Sequence, residues 1–322
     1  MAGSPYDGYM GKASRTKQAP DRRARVAAQR EAARRSEQRK RIYIAGGSIL
    51  AVIIVVISFV LIKQGSGGPA SVGSNGPTGT ALTSVVNQTT SVPAATLDKV
   101  GAGSAYSNAI IPITSSQTPL KSGGKPEMLY IGAEYCPYCA AERWAMIVAL
   151  SRFGTFSGLS TVHSASVNGG GTAEPFPNTS TWTFVHAKYT SNYLTFTPVE
   201  QYSNVPDSST GGYKTLQNLT SAQQAIITKF DAPPYVSSQE AGSIPFINFG
   251  NKYLVIGASY NPQVLAGKTW AQIAAALKDP TSPITKAVGG TANYMTAAIC
   301  KLTNNQPSTA CTGAVTTLQS KL

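Results

Sequence analysis

Cys136-Pro137-Tyr138-Cys139 sits where a strand-like run gives way to a helix-like one, and this junction limits the folds open to the chain. Met128-Leu-Tyr-Ile131 is short and apolar, whereas Ala140 to Leu150 is rich in helix formers. A cysteine at such a junction lies beside a helix N-terminus. The unpaired N–H groups and the macrodipole there favour a thiolate over a thiol. The second cysteine comes round one helical turn later, within reach of the first. That geometry suits reversible two-electron dithiol–disulfide chemistry. On these residues alone, an inert structural disulfide and a metal site remain open. The chain has one CxxC and two histidines, short of the four ligands of a tetrahedral ion. Two thiolates alone suit Cu(I), but no methionine cluster accompanies them.

Leu129 to Cys139 resembles the active-site approach of thioredoxin-fold proteins, in which an aromatic residue, here Tyr135, precedes the first cysteine. The Pro-Tyr pair resembles glutaredoxins and, more loosely, the periplasmic oxidant DsbA. Gly242-Ser-Ile-Pro-Phe-Ile-Asn-Phe-Gly250 resembles the loop that carries a cis-proline opposite the CxxC, which makes Pro245 that proline. The order of elements, an apolar anchor and a Cys-bearing tail are similar to the domain of unknown function 929 family. The thioredoxin-like resemblance covers Lys125 to Asp279, with a long insertion. It implies an α/β fold: a thioredoxin-like mixed sheet flanked by helices, with a helical insertion ahead of the cis-proline loop. It also implies Cys136 as the attacking thiolate and Cys139 as the resolving thiol. Pro245, Ile244, Tyr135, Pro137 and Tyr138 are expected to shape a substrate groove. No dissociable cofactor and no metal are expected. One departure stands out. Thioredoxins proper place a buried acid six residues before the first cysteine, and Tyr130 occupies that position here. Glu134 and Glu142 lie nearby without obviously replacing it.

The net charge of +13 invites a nucleic-acid partner, and its distribution argues against one. Residues 1–41 hold 12 Lys/Arg and 4 Asp/Glu, while the remaining 281 hold 15 and 10. The basic excess precedes an uncharged run, Ile42 to Ile62, bounded by Arg41 and Lys63. A run of about 20 apolar residues spans a bilayer core. It is longer than a cleavable signal core, and no clear small-residue cleavage motif follows. The expectation is therefore one N-terminal transmembrane helix acting as an uncleaved signal anchor. Cations before it hold the N-terminus in the cytoplasm and send the rest outside the cell membrane. All four cysteines, Cys136, Cys139, Cys300 and Cys311, then lie where disulfides persist.

Four regions follow: a basic cytoplasmic arm (1–41), the anchor (42–62), a Gly/Ser/Thr/Pro-rich flexible linker (63–96) and an extracytoplasmic domain (97–322). Within the domain, Glu127–Ile131 reads as a strand and Pro137–Phe153 as a helix. Leu159–Val167 reads as the second strand, Thr181–Ala187 as a good one, and Tyr193–Val199 as a weaker edge strand because of Pro198. Ser221-Ala-Gln-Gln224 has capping-box spacing. Phe246–Asn248 and Tyr253–Ile256 read as a hairpin, and Thr269–Leu277 as the last core helix. Pro283–Leu302 reads as a helical tail that ends at a turn-rich loop between Cys300 and Cys311. That pair suits a structural staple worth on the order of 2–3 kcal/mol, with a second redox pair as the alternative. His163 and His186 fall in expected strands and read as ordinary strand residues. Two functions are carried forward. The first is a thiol–disulfide oxidoreductase acting on exported cysteine-containing proteins, reset by a membrane redox partner. The second is a non-catalytic surface interaction module with a structural CxxC disulfide.

Overall fold

Residues Met128 to Gly132 are buried without interruption in a strand that runs from Lys125 to Gly132. Side chains alternate across a strand. Met128 and Tyr130 enter one core, and Leu129 and Ile131 enter another on the opposite face. A strand that is apolar on both faces needs a cover on each. The structure, a computed structural model, describes residues 76–167, 172–207 and 209–322 and supplies both covers.

The chain first forms helices α1 (Gly79–Thr90) and α2 (Ala94–Val100). Strands β1 (Ile111–Pro112), β2 (Lys121–Ser122) and β3 (Lys125–Gly132) follow, and then helix α3 (Pro137–Leu150). Next come β4 (Gly154–Ser157), β5 (Ser160–His163), β6 (Ser180–Thr183), β7 (Lys188–Ser191) and β8 (Thr195–Glu200). A hairpin of β9 (Tyr202–Asp207) and β10 (Gly212–Thr215) leads to α4 (Ser221–Phe230). The strands β11 (Phe246–Phe249) and β12 (Tyr253–Ile256) precede α5 (Trp270–Ala276), α6 (Pro283–Leu302) and α7 (Ala314–Gln319).

The architecture is mixed α/β around a mixed six-stranded sheet. Its order is β1-β12-β11-β3, and β2 and β8 each pair with β3 as well. β11 runs antiparallel to β3, with Phe246 opposite Ile131 and Phe249 opposite Met128. β8 runs parallel to β3, so that its last residue, Glu200, lies opposite Gly132 just before the cysteines. Pro198 lacks a donor and is accommodated because β8 is an edge strand. On one face, α3 packs against α6 in the larger core. On the other, Phe230, Ile226 and Ile227 of α4 cover Leu129, Ile131 and Phe246.

Several expectations change. The basic arm 1–41 and the apolar run 42–62 lie outside the described residues. Among those described, no helix is long and apolar enough to cross a membrane. From Gly79 onward the linker expectation gives way to α1 and α2. Leu82, Val85 and Val86 of α1 pack onto the main core, and Thr89 is fully buried. These positions recur at helical spacing inside a Ser/Thr-rich stretch, so composition concealed the stripe. Residues 283–302 are no tail. Sixteen residues of α6 are buried, and Asn293 Nδ2 donates to the Leu97 and Gly101 carbonyls at the end of α2 (both 2.8 Å). Leu159–Val167 and Thr181–Ala187 contribute only β5 and β6, a two-stranded ribbon apart from the main sheet. The parallel neighbour of β3 is instead β8. His186 lies in a turn after β6, not in a strand. The capping box of α4 is shifted by one residue: Thr220, in extended backbone, is the N-cap and pairs with Gln223, while Ser221 is already helical.

Candidate functional site

Cys136 is the N-cap of α3, with extended backbone (φ −73°, ψ 121°), and its sulfur accepts from the Cys139 N–H at 3.3 Å. Pro137 fills the first helical position, where a missing N–H costs nothing. Across from the cysteine, the Ile244–Pro245 bond is cis, and the Cys136 thiol donates to the Ile244 carbonyl at 3.7 Å. Both cysteines are free thiols, Cys136 being 4% exposed and Cys139 fully buried. Burial raises the cost of charge on Cys136. Hydrogen bonds from the Cys139 thiol and backbone N–H, with the Arg143 guanidinium, outweigh it and hold the thiol below its ordinary value. Cys139 moves the other way: burial, and then the neighbouring Cys136 sulfur, push it well above the ordinary thiol range.

Behind the pair lies a buried ionic group that the sequence reading did not single out. Arg143 and Glu200 have no exposed side-chain surface. Arg143 Nε donates to Glu200 Oε1 at 2.8 Å and Nη2 to Oε2 at 2.7 Å. Nη2 also donates to the Ala133 carbonyl at 2.7 Å, and the same carbonyl accepts from the Cys136 N–H at 3.3 Å. The Tyr130 hydroxyl donates to Glu200 Oε2 at 3.4 Å. Tyr130 on β3 thus contacts the carboxylate that β8 brings in behind the cysteines. Gly132 makes room for it. A Cβ there would lie 2.2 Å from the Tyr130 hydroxyl and 3.0 Å from the Cys139 sulfur. Sequence did hold one signal for Arg143: with Glu142 it is one of two charged residues in a largely apolar helix, one turn after Cys139.

The expected groove residues gather around Cys136. Tyr135 stacks on Tyr213 of β10, with centroids 4.1 Å apart and planes at 6°. Burial raises the Tyr135 phenol above its ordinary value. Tyr138 is exposed and meets the edge of Phe176 at 5.8 Å. Tyr138 and Ile244 line an open cleft of about 450 Å³ with Tyr106, Gly257 and Tyr260. Six large apolar side chains are exposed among the described residues: Tyr106, Tyr138, Val167, Tyr202, Val205 and Leu216. They cluster by element. Tyr106 and Tyr138 share the cleft, Tyr202 and Val205 lie on β9, and Leu216 directly follows β10. The Tyr202 carbonyl accepts from the Glu134 N–H at 2.8 Å, and the Val167 carbonyl from the Tyr213 hydroxyl at 2.6 Å.

Glu142, also on α3, is fully buried. Its Oε1 accepts from the Ser259 N–H, and its Oε2 has no partner. Burial, only partly offset by the Ser259 hydrogen bonds, pushes its carboxyl up to about 7. Glu134 is also raised by burial. His163 packs against Trp270 at 4.4 Å and takes no part in the cysteine site. Cys300 and Cys311 are bonded, with Cα atoms 5.8 Å apart, and tie the end of α6 to the loop before α7. Among the described residues no group of three or more His, Cys, Asp or Glu is placed to hold a metal ion.

No curated protein and no solved structure matches this chain. A family model described as a domain of unknown function, DUF929, matches residues 112–301, which include the CxxC, Arg143, Glu200 and Pro245 and make up more than half of the chain, so the chain belongs to that family.

Proposed function

We propose that the chain is a membrane-anchored thiol–disulfide oxidoreductase on a thioredoxin-like scaffold, acting outside the cytoplasm on cysteines of exported proteins. The observation that carries this reading is the asymmetry of the pair. Cys136 caps the helix with its thiol held below the ordinary value, and Cys139 is buried one turn in with its thiol held above it. An exchange pair needs this division between an attacking thiolate and a protonated resolving thiol. The Cys136 thiolate attacks a substrate disulfide, forms a mixed disulfide and releases a substrate thiolate that takes up a proton. Cys139 then loses its proton and attacks the Cys136 sulfur. The Cys136–Cys139 bond forms, and the second substrate sulfur leaves. The substrate gains two electrons, and the reverse sequence oxidises it. The exposed aromatic and apolar rim suits polypeptide substrates better than small thiols. Pro245 and Ile244 line one side of the approach, and Tyr135, Pro137 and Tyr138 line the other. The anchor and topology rest on the uncharged run 42–62 and the 12 cations before it. A membrane dithiol/disulfide protein is the partner class that resets the pair.

One observation favours the interaction-module alternative: Cys136 is only 4% exposed. Trapping separates the two. A full-length Cys139→Ala variant expressed in cells should accumulate mixed disulfides with exported proteins, and Cys136→Ser should accumulate none. A Cys139→Ala variant that traps nothing, with Cys136 unreactive toward model disulfides, leaves the module reading.

A further inference from the structure

Dithiol–disulfide exchange runs in either direction, and the buried ion pair bears on which. Resting on the oxidoreductase reading, we propose that Arg143, held in place by Glu200, is an internal counter-charge that stabilises the reduced cysteine pair, so that the disulfide form is an oxidant that passes its bond to substrates.

The placement is built from three elements. Arg143 follows Cys139 by four residues on α3, which puts the two on one helix face. The parallel β3–β8 register brings Glu200 opposite Gly132. The Glu200 N–H donates to Gln217 Oε1 at 2.7 Å, which fixes the end of β8. The two-point contact between guanidinium and carboxylate then fixes the cation. Ala133 links it to the reacting atoms, because its carbonyl accepts from both Arg143 and the Cys136 N–H. The Glu200 carboxylate is taken up by two guanidinium nitrogens and the Tyr130 hydroxyl. Arg143 Nη1, in contrast, is buried with no partner among the described residues. The pair therefore keeps donor capacity on its positive side.

The energetic argument follows from charge. A disulfide carries none, whereas the reduced pair carries a thiolate. A fixed cation in a water-poor site favours the form with the anion. Stabilising the reduced form makes the disulfide more oxidising. The other ionisable side chains that interact with the sulfurs are phenols, Tyr130 on β3, Tyr135 in the loop after it and Tyr213 on β10. The cation acting on both sulfurs is Arg143.

In the proposed direction a substrate thiolate attacks the Cys136 sulfur, and Cys139 leaves as a thiolate and takes a proton. A second substrate thiolate then attacks its own mixed-disulfide sulfur and releases the Cys136 thiolate. Two electrons pass from substrate to the pair, and the substrate disulfide forms. The membrane disulfide partner reoxidises Cys136 and Cys139.

The test uses the full-length chain in detergent, with Glu200→Gln and the double variant Arg143→Met/Glu200→Gln. The Cys136 pKa is read from thiolate absorbance and alkylation rate, and the dithiol–disulfide equilibrium against glutathione by mass. The double variant should raise the Cys136 pKa and shift the equilibrium toward the disulfide, about tenfold per pKa unit. Glu200→Gln alone frees the Arg143 charge and should shift both in the opposite sense. A merely structural role gives no such pair of opposite shifts. A folded double variant with wild-type pKa and equilibrium overturns the proposal. If the double variant does not fold, Glu200→Gln decides, and an unchanged or raised Cys136 pKa overturns it. Wild-type protein that does not exchange with glutathione overturns the oxidoreductase reading instead, and the pKa readout still tests Arg143.

Discussion

Glu142 lies on the helix that Cys136 caps, and its burial disfavours its charged form. Its carboxyl is pushed up to about 7 from an ordinary value of 4.5. Between those values the folded state holds a proton that the unfolded state releases, so stability falls as pH rises through the window and is constant above it. The loss is on the order of 3 kcal/mol over that span. Glu142→Gln keeps an acceptor for the Ser259 N–H and removes the charge. Urea unfolding should therefore find the variant more stable than wild type at pH 8 and close to it at pH 5. Equal pH profiles for the two proteins would show that Glu142 ionises without penalty. Cys136 carries the opposite shift, and its effect is read in reactivity. It should alkylate at neutral pH faster than a free thiol of pKa about 8.5, while Cys139 lags behind.

At the scale of elements, the close approach of α6 to the loop after α2 is the most exacting contact. A Cβ on Gly290 would lie 2.2 Å from the Ala102 carbonyl oxygen, which is backbone and cannot step aside. Gly290→Val should destabilise by about 1–3 kcal/mol, read as a drop in urea midpoint, with the chemistry of Cys136 unaffected. The same helix shows where sequence reading stops. β3, α3 and the β11–β12 hairpin were legible because apolar runs of the right length meet turn residues at their ends. α6 was legible as a helix over Pro283–Leu302 but not as a core element, because nine of its twenty residues are Ala, Gly or Thr, which are as common on surfaces as in cores. α1 was hidden for the same reason by its threonines. The CxxC and Pro245 were legible as local motifs. The Arg143–Glu200 contact was not, because the two residues are 57 positions apart and meet only through the parallel register of β3 and β8. The β9–β10 hairpin was likewise unreadable as a wall of the site, since Tyr213 has meaning only once it stacks on Tyr135.

For the whole molecule, redox compartment and topology must agree, because one disulfide is in place and the proposed function has a second pair form one reversibly. Cys300 and Cys311 close a loop that joins α6 to α7. Replacing both with serine should cost on the order of 2–3 kcal/mol in urea unfolding, which a persistently reduced pair would not. Such a bond persists more readily in an oxidising compartment than among cytoplasmic reductants. The charge pattern supports the proposed side of the membrane independently. Twelve cations precede the uncharged run at 42–62 and Lys63 alone follows it directly, and the proposed topology keeps that larger cationic load in the cytoplasm. Protease added to intact cells should then release the region that bears Cys136 and leave a fragment containing residues 1–41 protected. Detergent lysis should expose both. Protection of the cysteine-bearing region in intact cells would place all four cysteines among cytoplasmic reductants. That outcome would overturn the proposed topology and remove exported proteins as the substrate class.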